Sequence, residues 1–128
     1  MLAVLALATT LAGCGADVER EEAGAAADAF TASVGSDVQA ACDLLAPRTR
    51  ESVEKDGTPC AEALPEAGLV APGRREAVTV AGHSAQARYA QGAVFLARFD
   101  DGWRVTAAGC SRVSADDAEP YDCTVEAG

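Results

Sequence analysis

The hydrophobic pattern of this chain changes period once, near residue 74, and that change constrains the fold more than any other feature. Before it, apolar residues recur at helical spacing. Ala23, Ala27, Phe30 and Val34 fall on one stripe, which predicts a helix over about residues 17–34. Asp17 stands where a cap is expected, and Glu19, Glu21 and Glu22 favour the positive end of the helix dipole. Gly35 ends the pattern. A second helix is expected from Ser36, with Gln39 three residues on as in a capping box. Its inward residues are Val38, Ala41, Cys42 and Leu45, and Pro47 stops it. A third short helix is expected over about residues 48–55, and a fourth opens after Thr58-Pro59 with Cys60 and Leu64. Pro65, Gly68, Pro72 and Gly73 then mark a loop.

Beyond the loop the period is two. Val78 and Val80 alternate in one strand, and Ala85, Ala87 and Tyr89 in the next, with Gly82-His83 at the turn. A third strand is expected over about residues 93–99 and a fourth over about 103–108. Between them, a three-residue Asp100-Asp101-Gly102 loop pairs Phe99 with Trp103, Ala97 with Val105 and Phe95 with Ala107, which makes one face wholly apolar. The pattern predicts an α+β domain: N-terminal helices packed on a curved antiparallel sheet of about four strands. Ser111–Gly128 reads as a polar, acidic tail.

The amino-terminal segment belongs to neither pattern. Residues 1–11 are almost wholly apolar and too short to span a bilayer, which takes about 20 residues. They end in Leu11-Ala12-Gly13-Cys14, which resembles the lipobox of bacterial lipoprotein precursors. The resemblance implies that residues 1–13 are a signal peptide, that Cys14 is lipidated and anchors the chain in the bilayer, that residues 14–16 form a short tether, and that 17–128 fold as one domain. It places the domain on the extracytoplasmic face of the cell membrane.

Five cysteines are present, an odd number. With Cys14 lipidated, Cys42, Cys60, Cys110 and Cys123 remain. Three connectivities are open to them. Cys42–Cys60 with Cys110–Cys123 is preferred, because both close short local loops. Such staples suit an oxidising compartment and an alanine-rich core with 5% aromatics. No CxxC occurs and His83 is the one histidine, so no metal site is expected.

The net charge is −10, and every charged residue follows Cys14. An acidic surface of this kind is unsuited to nucleic acid or to anionic lipid headgroups. Lys55 is the one lysine among abundant Ala, Gly, Val and Arg, a bias of GC-rich bacterial genomes.

Helices followed by a meander that ends in Gly-Trp-Arg-Val-Thr-Ala-Ala-Gly-Cys (residues 102–110) resemble small lipoproteins of GC-rich Gram-positive bacteria. The order of elements is similar to the nuclear transport factor 2-like, or cystatin-like, cone. That resemblance covers about residues 20–123 and implies a fold rather than an activity.

Few residues carry chemistry. His83 is expected in an exposed turn, and Ser84 beside it makes no triad. Asp43 lies near the cone and is expected to face solvent. Asp116, Asp117, Glu119 and Asp122 lack the spacing of a calcium loop. Tyr89, Phe95, Phe99 and Trp103 are the candidate pocket lining, with a role as plain core set beside it. No cofactor is expected. Two functions follow: a non-catalytic envelope module that binds a protein or a small ligand or supports the cell wall, and a small pocket enzyme of the isomerase or dehydratase kind. A buried acid in a pocket favours the enzyme; a filled cone with an exposed apolar patch favours the module.

Overall fold

The computed structural model describes residues 14–116 and 120–128. The expected signal peptide, residues 1–13, therefore lies outside the described residues, as do Asp117 and Glu119. Helix α1 spans Cys14–Ser33, with Ala23, Ala27 and Phe30 buried along one stripe. It begins upstream of the expected cap, so residues 15 and 16 are helical. Asp17 lies in the first turn and pairs with Arg20 instead of capping.

Three short helices follow: α2 (Val38–Asp43), α3 (Pro47–Val53) and α4 (Cys60–Glu66). The cap of α2 is Asp37, not Ser36; its carboxylate accepts from Ala40 N at 3.2 Å. Ser36 instead donates its hydroxyl to the Ala32 carbonyl at 2.9 Å, closing off the end of α1. Pro47 occupies the first turn of α3, where its missing N–H costs no hydrogen bond.

The remainder is an antiparallel meander in the order β1-β2-β3-β4-β5: β1 Arg75–Ala81, β2 Ser84–Tyr89, β3 Gly92–Phe99, β4 Gly102–Arg112 and β5 Tyr121–Glu126. Five strands stand where about four were expected. The acidic tail supplies the fifth, because Cys123 sits directly opposite Cys110 and their disulfide fixes the pairing. On the outer face Tyr121 packs edge-on against Phe95 with ring centroids 5.2 Å apart, and its hydroxyl accepts from Gln86 at 2.9 Å.

The expected β3–β4 register does not form. The turn is Asp100-Asp101, with Phe99 opposite Gly102, Arg98 opposite Trp103 and Leu96 opposite Val105. Trp103 is buried beneath α1, while Phe99 is on the other face and 41% exposed. The cause lies in β2. Its inward residues Ala85 and Ala87 pair with Leu96 and Val94, so Phe95 must point outward. A Trp103 and Val105 on the Leu96 face then require the shorter turn. Phe95 still meets Ala107, because Thr106 is an extra residue in β4 that restores the offset. The carbonyl of Thr106 accepts the hydroxyl of Thr49 at 3.0 Å, and Thr49 is fully buried. A second irregularity falls at Gly109, where φ is +64°.

Strand β5 ends opposite Ala107, which would leave the first half of β4 with an open edge. The segment between α2 and α3 covers it. Val105 N donates to the Leu44 carbonyl and Ala46 N donates to the Val105 carbonyl, both at 2.8 Å. The Cys42–Cys60 disulfide ties α2 to α4, with both cysteines buried. The core lies between α1 and the inner face of the sheet and is filled by Phe30, Tyr89, Leu96, Trp103 and Val105.

Candidate ligand-binding groove

Alpha-helix α1 is fixed to the sheet at two acids. Glu19 receives the Trp103 indole N–H at 3.1 Å and pairs with Arg98. Nine residues on, Asp28 receives the Tyr89 hydroxyl at 2.7 Å and the Arg75 Nε at 3.1 Å. Each acid thus takes one inward aromatic donor and one arginine. Gly24 makes the second contact possible: a Cβ there would stand 2.4 Å from Arg75 Nη1. Burial, reinforced by the hydrogen bond to Asp28 and its charge, holds the Tyr89 phenol well above its ordinary value of 10.0.

Past Asp28 the ion pairs stop and a groove opens, with a volume of about 360 Å³. One wall is the end of α1, Phe30–Ala32, with Val34 and Gly35 of the turn that follows it. The opposite wall is the loop Leu69–Pro72. Val94, Ala108 and Gly109 of the sheet form the floor, with Gln91 at one end. Gly109 decides how the loop seats, since a Cβ there would meet Leu69 Cδ2 at 2.7 Å. The loop is pinned beyond the groove by Gln91 N to the Pro72 carbonyl at 2.8 Å and Ala90 N to the Arg74 carbonyl at 2.9 Å. Val70, at the rim, is 81% exposed.

The structure separates the four aromatics singled out in the sequence. Tyr89 and Trp103 are inner core, Phe95 packs on the outer face, and Phe99 is exposed near the β3–β4 turn. None of them lines the groove. His83 is exposed in the Gly82-His83 turn, with Gly82 at φ +60°. Asp43 faces solvent and pairs with Arg50 at 3.2 Å. Asp116 and Asp122 are exposed, and no three metal-ligating side chains cluster among the described residues. Among those residues the one buried polar side chain is Thr49, hydrogen-bonded as above.

Sequence reasoning missed the groove because its walls come from four separate stretches of chain. Val70 and Leu69, two large apolar residues inside a Gly/Pro loop, were the available signal. Gly24, a glycine inside an otherwise strong helix, was the signal for the Arg75 contact. Compared with known protein families, with curated proteins and with solved structures, the chain matches none. No helix among the described residues is long and apolar enough to cross a membrane.

Proposed function

We propose that this chain is a lipoprotein anchored through Cys14 to the extracytoplasmic face of the cell membrane, and that its domain is a non-catalytic binding module. The observation that carries the reading is the cysteine pairing. Cys42 joins Cys60 and Cys110 joins Cys123, which leaves Cys14, directly after Leu11-Ala12-Gly13, as the odd thiol. Two disulfides in so small a domain support an oxidising compartment. An interior filled by Phe30, Tyr89, Leu96 and Trp103, with an apolar groove at one end, supports a module that holds a partner over one that transforms it. The partner is a small ligand or an envelope protein, and the acidic surface is unsuited to nucleic acid. Helices followed by an antiparallel meander support keeping the nuclear transport factor 2-like comparison within this reading.

The test is the intact mass of protein extracted from membranes, before and after reduction. A mass of residues 14–128 plus diacylglycerol and acyl chains is expected, with a gain of four hydrogens from the two disulfides. An unmodified full-length mass with five free thiols would overturn the reading.

A further inference from the structure

We propose that the groove between the end of α1 and the Leu69–Pro72 loop binds one small, electrically neutral, largely apolar molecule. This rests on the binding-module reading and gives that module its ligand class.

Charge is the first argument. Of this chain's residues 23% are charged, yet none lines the groove. A carboxylate or phosphate ligand would need a cation there, and an amine would need an anion; desolvating either without a partner is costly. The polar side chains at the site are Thr31 and Gln91. The Thr31 hydroxyl already donates to the Asp28 carbonyl at 3.1 Å, so toward a ligand its oxygen acts as an acceptor. Gln91 is exposed at the end of the groove and offers an amide. That supply suits a molecule with one or two neutral hydrogen-bonding groups.

Size is the second argument. The volume of about 360 Å³ sits near the lower bound of ligand pockets, roughly 300–1,000 Å³. The third is the rim. Val70 is 81% exposed in a loop whose neighbour Leu69 is seated on Gly109 and whose far side is hydrogen-bonded to the β2–β3 turn. A valine held out beside an apolar cleft loses that exposure when the cleft is filled. The groove opens at the edge of the core, sharing Phe30, Val94 and Ala108 with it, while side chains fill the rest of the interior.

The experiment is photolabelling of the full, disulfide-bonded chain with a neutral alkyl diazirine, followed by peptide mapping. A carboxylate-bearing probe of equal length serves as the comparison. Saturable label is expected on the peptides carrying residues 30–35 and 69–72. The carboxylate probe is expected to label these at least fivefold less. Val34→Asp and Val70→Asp are each expected to cut the neutral label at least fivefold. Exposed Val70 keeps the test valid if the half-buried Val34 variant does not fold, and near-ultraviolet dichroism of Trp103 reports folding. Label that does not saturate, that maps elsewhere, that survives Val70→Asp in a folded protein, or that is equally strong with the carboxylate overturns the proposal. Lipidation of Cys14 is read by mass alone, so failure here and failure of the anchor reading are separate results.

Discussion

The two ends of α1 meet the sheet by different physics. Near Cys14, Glu19 is gripped by the Trp103 indole and Arg98, and at Asp28 the Tyr89 hydroxyl and Arg75 repeat the arrangement. Beyond Asp28 no charged contact is made and the holding is mainly apolar: Phe30 reaches the core, and the last turn stands away from the loop across the groove. Directional bonds fix the position and rotation of the helix. Apolar contact is non-directional and supplies most of the holding energy. A helix located at Glu19 and Asp28 can leave its last turn apart from the facing loop, and that is where a cleft survives in an otherwise filled domain.

If this division holds, the largest effect lies at the apolar end. Phe30→Ala removes a fully buried ring from a core with few aromatics, so a loss of about 3–5 kcal/mol is expected in denaturant unfolding. A loss below about 1 kcal/mol would mean that the polar contacts hold α1 by themselves.

Tyr89→Phe comes next. The hydroxyl bonds a carboxylate, and such bonds contribute about 1.5–3 kcal/mol; Asp28 is partly exposed, so the lower figure is expected. The same contact gives a pH signature. The phenol is raised in the folded state, so ionisation is resisted there and proceeds near pH 10 in the unfolded chain. Its contribution is fully present below pH 10 and falls as pH rises above that value. Melting curves at pH 9 and pH 11 should converge for wild type and Tyr89→Phe at the higher pH. A gap that stays constant would show that folding does not raise the Tyr89 phenol.

Much of the fold was legible because its signals are local. Ala23, Ala27 and Phe30 announce the buried stripe of α1, and the alternation of Ala85, Ala87 and Tyr89 announces β2. The disulfide partners followed from the short loops they close. What was not legible depends on distant residues. Tyr121–Glu126 alternates apolar and polar residues, but it lies within an acidic stretch read as a tail, and its pairing with β4 is fixed by the bond of Cys123 to Cys110. The hairpin register was set by Val94 and Leu96 answering β2, not by the Asp100-Asp101-Gly102 turn alone. Thr106 carries no mark of a bulge; its carbonyl finds Thr49, on a helix far back in the chain. The aromatics were grouped as one candidate pocket; the β2–β3 pairing turns Phe95 and Phe99 away from Tyr89, and the β3–β4 register divides them from Trp103.

Glu19→Gln probes the charged end and should have the smallest effect. The amide oxygen still accepts from Trp103, so the indole bond persists in neutral form, while the Arg98 ion pair is lost. Both partners of that pair are partly exposed, which holds its worth below about 1 kcal/mol. What distinguishes the pair from mere packing is screening. At about 1 M salt the Debye length shrinks to roughly 3 Å, so the stability gap between wild type and Glu19→Gln should narrow. The gap for Phe30→Ala should not narrow, because salt does not screen burial of a phenyl ring. If both gaps respond to salt alike, the two ends of α1 are not held by different forces, and the explanation for why the groove opens only past Asp28 fails with them.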